Sequence, residues 1–170
     1  MLDFKRQEVK IVHLNPRCEL HGTEEHIAVD IKLLFELRAD TLDALSSSLY
    51  PSLFEVSNDP DMFEGKDAPL LVHVRHAGLG TLRWSETWRA MRLNLHTGAK
   101  PKDDLVFDGV TVDRLTMRPR EGGTVAFSAR AQVHPRTENV TARLVALLKH
   151  EIPATLDASE ASNGSEADDA

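Results

Sequence analysis

From Ile27 to Leu37 every odd position is apolar (Ile27, Val29, Ile31, Leu33, Phe35, Leu37), while His26, Asp30, Lys32 and Glu36 stand between them. A two-residue period sends side chains to alternate faces of an extended chain, so the segment predicts a strand with one face on a core. The same period returns in Val125, Phe127, Ala129, Ala131 and Val133. Residues 105–118 and 124–134 flank Arg120-Glu121-Gly122-Gly123 and predict a hairpin turning at the glycines. Val12, Leu14, Cys18 and Leu20 alternate around Asn15-Pro16, which predicts a peripheral strand over 8–20 with an edge position or bulge at the proline. Leu70, Val72 and Val74 predict another strand, ending at Gly78-Leu79-Gly80. Across 81–96 the apolar parity shifts from Leu82 and Trp84 to Met91, Leu93 and Leu95, as a bulge near Glu86 to Ala90 or a broken strand would produce. A short strand over 152–156 completes the series.

Two segments change period. Asp40 as N-cap, Leu42, Leu45 and Leu49 at helical spacing, and Pro51 as a stop predict a helix over 41–49. Thr137 as N-cap, followed by Val140, Leu144, Leu147 and Leu148, predicts a second helix over 137–149. Residues 55–68, with Ser57-Asn58-Asp59-Pro60-Asp61 and Gly65, carry turn chemistry without periodicity and predict a mobile loop. From Asp157 onward little can be buried, which predicts a disordered acidic tail over 157–170. The expected fold is α+β: one domain over 1–156, a twisted, mainly antiparallel β-sheet of about six to eight strands, with the two short helices covering one face.

Composition bounds the setting. A chain of 170 residues with 41% hydrophobic content can close a single core. No stretch approaches the roughly 20 apolar residues that span a bilayer, and Met1 to Arg6 runs into charge without an apolar signal segment. A cytoplasmic protein, with no membrane partner, is therefore expected. Cys18 is the only cysteine, which excludes an internal disulfide and a cysteine-rich zinc site. The net charge of −7 conceals an asymmetry: residues 1–68 carry −7, residues 69–149 carry +6 and residues 150–170 carry −6. Local fields steer partners more than the total does, so a basic region between acidic flanks is the informative feature.

Motifs for chemistry are absent. His73-Val74-Arg75-His76 places its histidines three apart, on opposite faces of a strand, where they could share an ion only if the strand ended between them near Gly78. There is no Gly-x-Ser-x-Gly elbow, and Gly78-Leu79-Gly80 lacks the Gly-Lys-Ser/Thr of a phosphate loop. Asp103-Asp104 and the Asp59/Asp61 pair read as solvated loop charges. No catalytic residue, metal ligand or cofactor is expected.

The basic region offers more. Arg83, Arg89, Arg92, Arg114, Arg118, Arg120 and Arg130 fall on predicted strands or turns, where alternate positions build a cationic face, and Trp84 and Trp88 interleave with them. Cations for phosphates and flat rings for bases are what a single-strand nucleic-acid binder needs. The acidic tail could compete for such a face or recruit a basic protein partner. A β-domain with an acidic tail resembles single-strand DNA-binding proteins, although Asp168-Asp169-Ala170 stands where those end in Pro-Phe. Glu121-Gly122-Gly123-Thr124-Val125, Gln132-Val133-His134-Pro135 and the Leu144 to Leu156 segment resemble uncharacterised bacteriophage or prophage accessory proteins. That resemblance implies host cytoplasm and a role in DNA metabolism. The leading expectation is a non-enzymatic phage-type protein that binds single-stranded nucleic acid. Its rival is an assembly module whose β-edges pair into a homo-oligomer, as a virion or host-interaction component.

Overall fold

A computed structural model describes residues 1–57 and 71–158. The strands are β1 (Phe4–His21), β2 (Glu24–Arg38), β3 (Phe54–Ser57), β4 (Leu71–Val74), β5 (Leu82–Trp84), β6 (Trp88–Leu95), β7 (Leu105–Arg120), β8 (Thr124–Val133) and β9 (Glu151–Ala158). The helices are α1 (Leu49–Leu53) and α2 (Glu138–Ala146). The antiparallel character expected from the alternation holds throughout, but the main sheet closes on itself. β1 pairs with β2, β2 with β8, β8 with β7, β7 with β6, β6 with β9, and β9 returns to β1. β5 lies in line with β6 along β7, and β3 and β4 form a separate two-stranded sheet.

Closure explains the core. Ile31, Leu33 and Phe35 of β2, Leu93 and Leu95 of β6, Leu115 and Met117 of β7, Phe127 and Ala131 of β8 and Ala154 of β9 belong to one buried cluster. A ring this narrow is filled by its own side chains. The expected arrangement, a sheet with both helices on one face, gives way to a barrel with two ends. Leu42, Leu53 and Phe54 enter the core from the connection after β2, and Leu144 of α2 enters from the connection between β8 and β9, at the opposite end.

Several expectations shift in detail. β1 is longer than 8–20 and is not peripheral, because it pairs with β9 from Phe4 to Lys10 and with β2 from Val9 onward, and so joins the two in the ring. Pro16 falls where β1 has β2 as its one strand neighbour, so its missing N–H breaks no second ladder. The predicted 41–49 helix is replaced by a 3₁₀ segment, Ala39–Ala44, followed by α1, which contains Pro51. Proline at the third helical position costs nothing, since the first four N–H groups of a helix have no intrahelical acceptor. The parity change across 81–96 comes from both expected causes: the strand breaks over 85–87, and a bulge at Ala90 (φ 55°) shifts the register between Trp88 and Met91. α2 is shorter than 137–149 but starts where expected, with Thr137 Oγ accepting from Val140 N–H. Residues 55–57 belong to β3, and the rest of the predicted loop lies outside the described residues, as does the tail beyond Ala158.

At the β7–β8 turn, Gly122 N–H donates to Val72 O at 3.1 Å, docking the small sheet on the barrel. Gly123 has φ 82°, and a Cβ there would come within 3.3 Å of Val72, so this position requires glycine for both backbone and space.

Candidate nucleic-acid interface

Antiparallel partners point to the same face, so register assigns the outer surface of the barrel row by row. One row reads Arg83, Thr116, Ser128, Leu34, Lys10 across β5, β7, β8, β2 and β1. The adjacent rows read Arg118, Ala126, Glu36, and Asp113, Arg130, Lys32, His13. The outward side chains of β8 are half-buried although they point away from the core. Ala126 lies between Arg118 and Glu36, and Ser128 between Thr116 and Leu34, so these two short side chains form a low floor.

The result is a groove along β8. At one end a cleft of about 580 Å³ is lined by Lys10, Leu34, Glu36, Arg118, Arg120 and Ala126, among others. It adjoins a second, of about 330 Å³, lined by His13, Asn15, Asp30, Lys32, Arg114 and Arg130. Thr116 and Ser128 belong to both. Arg114 reaches this surface through a β-bulge: the β7–β8 register shifts between Asp113 and Thr116, and Arg114 takes φ 52°. An inserted residue of this kind re-aims a side chain, and a non-glycine residue held at positive φ stores strain that packing must offset.

The charges of the groove fall into two sets. The first is committed. Arg130 holds Asp113 with two hydrogen bonds, from Nε at 2.8 Å and Nη2 at 2.5 Å, and reaches Asp30 at 3.4 Å. Asp30 in turn accepts from Arg17 at 3.1 Å, and Arg17 meets Glu19 at 2.8 Å. The hydrogen bonds Arg130 donates to Asp113 push the Arg130 pKa up, while the His134 hydrogen bond to Glu19 pulls that carboxyl below its ordinary range. Arg120 is paired with Glu36 at 2.7 Å. The second set is uncommitted: Lys10, Lys32, Arg83, Arg114 and Arg118 make no hydrogen bond or ion pair among the described residues.

Five of the nine sequence-predicted contact residues therefore share this face: Arg83, Arg114, Arg118, Arg120 and Arg130. The other four do not. Trp88 is 6% exposed and packs in the core, so its ring is closed to a base. Trp84 pairs with buried Leu115, packs partly against the core and donates from its indole N–H to Glu86 at 3.0 Å. Arg89 is exposed beside the Ala90 bulge, and Arg92 is paired with Asp108 at 2.6 Å, both on β6 away from the groove. The phenylalanines that border the groove, Phe35 and Phe127, stack on one another inside the barrel at 5.5 Å. Among the described groove residues no phenylalanine, tyrosine or tryptophan face is offered to a ligand, and the one ring exposed there is the His13 imidazole in the smaller cleft.

Sequence reasoning missed Lys10 and Lys32 because they lie in the net-acidic first segment. Their outward parity in alternating strands was the available signal. Among the described residues no group of three or more ligating side chains is assembled to hold a metal ion, and no helix is long and apolar enough to cross a membrane. Comparison with protein-family models, curated proteins and solved structures returned no match.

Proposed function

We propose that this protein is a non-enzymatic binding module for single-stranded nucleic acid, which it holds by the phosphates along the β8 groove, as a phage-type accessory protein would. The observation that carries the reading is the set of five uncommitted cations, Lys10, Lys32, Arg83, Arg114 and Arg118, gathered on one face over a floor of small polar and apolar residues. A cation without a counter-ion is one whose electrostatic attraction is available to an incoming phosphate, and counter-ion release then drives association. The floor strand and its two flanks span about 10 Å, which suits one extended chain and not a duplex. With both tryptophans turned inward, the groove offers the bases no indole or phenyl ring, so recognition rests mainly on the backbone and is independent of sequence.

Fluorescence anisotropy with a labelled oligothymidine tests this. If each of the five cations meets one phosphate, log K falls against log salt concentration with a slope of about −3 to −4. Replacing Lys32, Arg114 and Arg118 together by alanine lowers affinity by on the order of tenfold or more and flattens that slope to about −1 to −2. No binding at low salt, or binding unchanged in the triple variant, rejects the reading.

One observation favours the assembly alternative. Beyond Ile11, β1 pairs only with β2, and the resulting two-stranded ribbon leaves Leu20 and Ile27 uncovered at 71% and 44% exposure. Apolar side chains on a projecting ribbon are a natural contact for another copy of the chain.

A further inference from the structure

The smaller cleft is shaped by irregularities on both of its flanks. Between the row of Arg130 and Lys32 and the row of Ser128 and Leu34, β8 and β2 each advance by two residues. Across the same interval β7 advances by three, from Asp113 to Thr116, and so does β1, from Lys10 to His13. Each flanking strand thus carries one extra residue at one level of the barrel. The β1 bulge is braced by Lys149, which donates from its backbone N–H to Ile11 O at 2.7 Å and from Nζ to Val12 O at 2.8 Å. The β7 bulge holds Arg114 at φ 52°. Bulges re-aim side chains and gather beside functional sites, and a non-glycine residue at positive φ persists only where its surroundings hold it there. Two bulges facing one another across β8 and β2 frame a site.

The framed cleft gathers donors. Lys32 and Arg114 are uncommitted cations, and the half-buried hydroxyls of Thr116 and Ser128 make no hydrogen bond among the described residues. The carboxylates nearby are already engaged: Asp30 by Arg17 and Arg130, and Asp113 by Arg130. A phosphodiester within a strand has one charge and two free oxygens, whereas a terminal phosphomonoester carries close to two charges near neutral pH and has three acceptor oxygens. Two cations and two hydroxyls around one cleft match the second. The track of cations also stops here. The next row, Asn15, Asp30, Gln132 and Thr111, holds no lysine or arginine, so a strand lying along β8 finds its last attraction at Lys32 and Arg114. We propose that the smaller cleft binds the terminal phosphate of a nucleic-acid strand through Lys32, Arg114, Thr116 and Ser128, while Lys10, Arg83 and Arg118 take the phosphodiesters that follow. This rests on the groove as the nucleic-acid site and deepens that reading by naming the strands it selects, those with a phosphorylated end.

The test measures binding of the full chain to internally labelled oligothymidine bearing a 5′-phosphate, a 3′-phosphate or hydroxyls at both ends. One phosphorylated strand, and only one, is expected to bind about tenfold tighter than the hydroxyl-ended strand, as an added charge-assisted contact gives. Lys32→Gln/Arg114→Gln should abolish that preference, so that the three strands bind alike. Lys10→Gln/Arg83→Gln should weaken all three and keep the ratio between them. Arg114→Gly separates binding from folding: glycine accepts positive φ, so the urea midpoint holds or rises while the preference falls. Equal affinity of the three strands overturns the end site and leaves the groove standing. An equal gain from a phosphate at either end does the same, being the effect of added charge alone. A preference that survives Lys32→Gln/Arg114→Gln also overturns it, since the end is then held elsewhere. Failure of wild-type protein to bind any of the strands overturns the groove and the end site together.

Discussion

Single residues in this barrel settle where a polar chain can be tolerated beside a tightly packed ring. The bulge at Arg6 (φ 45°) takes its N–H out of the β1–β9 ladder, and Thr155 Oγ accepts it at 3.1 Å. Thr155 in turn lies 2.8 Å from His96 Nε2, and His96 Nδ1 lies 2.8 Å from an Asp104 oxygen. The outcome is a carboxylate–imidazole–hydroxyl chain that fastens β9, β6 and the turn before β7 to the amino-terminal strand. The His96 hydrogen bond, followed by one from Gly98 N–H, holds the Asp104 carboxyl below its ordinary 3.8, with desolvation acting the other way. A depressed folded-state pKa contributes stability above the unfolded value, and that stability is lost as pH falls through the folded value. Wild-type protein is therefore expected to lose urea resistance below about pH 4, and Asp104→Asn to flatten that part of the profile. An unchanged acid limb in the variant removes Asp104 from the account. Thr155→Val, which leaves the Arg6 N–H without its acceptor, should cost about 1 kcal/mol at neutral pH.

Among the elements, α2 depends on one anchor more than on its cap. Leu144 is fully buried, while the rest of the helix presents mainly exposed or half-buried residues. Leu144→Ala should destabilise by about 2–4 kcal/mol, whereas Thr137→Ala removes one capping hydrogen bond and should cost about 1 kcal/mol. Comparable urea midpoints for the two variants would contradict that ranking. The contrast also marks what sequence can express. Alternation made β2 and β8 legible because the odd positions from Val29 to Leu37 and from Val125 to Val133 meet the core without interruption, while Ile27, on the same parity, is left exposed on the ribbon; the Thr137 cap made the start of α2 legible because capping is local chemistry. Pro51 misled because proline stops a helix in its interior and is accepted in its first turn. The basic stretch was visible as composition, but the face each residue occupies depends on the break at 85–87 and the bulges at Ala90 and Arg114. Those shifts kept the tryptophans on the apolar parity of the strand, turned inward, while Arg114 was brought over β8. Closure itself was illegible: pairings such as Lys10 with Glu151 join positions far apart in sequence, and nothing in either local pattern identifies the other.

For the molecule as a whole, closure constrains how it can associate. Six strands of the barrel satisfy one another around the ring, so pairing of sheet edges, the route first expected for a homo-oligomer, has little exposed ladder to use. Free backbone edges remain on β5, on the small β3–β4 sheet and on the ribbon formed by the far halves of β1 and β2. Of these, the ribbon also offers apolar surface, for Cys18 and Ile27 are cross-strand partners and Leu20 follows on the same face, all three exposed. Three side chains fall well short of the roughly 800 Å² per partner that a stable, specific interface buries. Sedimentation equilibrium should accordingly give a species near 18.9 kDa at micromolar concentration, with weak association appearing only as concentration rises. That association should disappear in a Leu20→Asp/Ile27→Asp variant, whose substitutions lie outside the core and leave the barrel folded. A tight dimer at micromolar concentration that survives both substitutions would place the contact elsewhere on the surface and bring the assembly reading ahead of the nucleic-acid one. A monomer that still binds oligothymidine would leave the groove, built by one chain alone, as the functional surface.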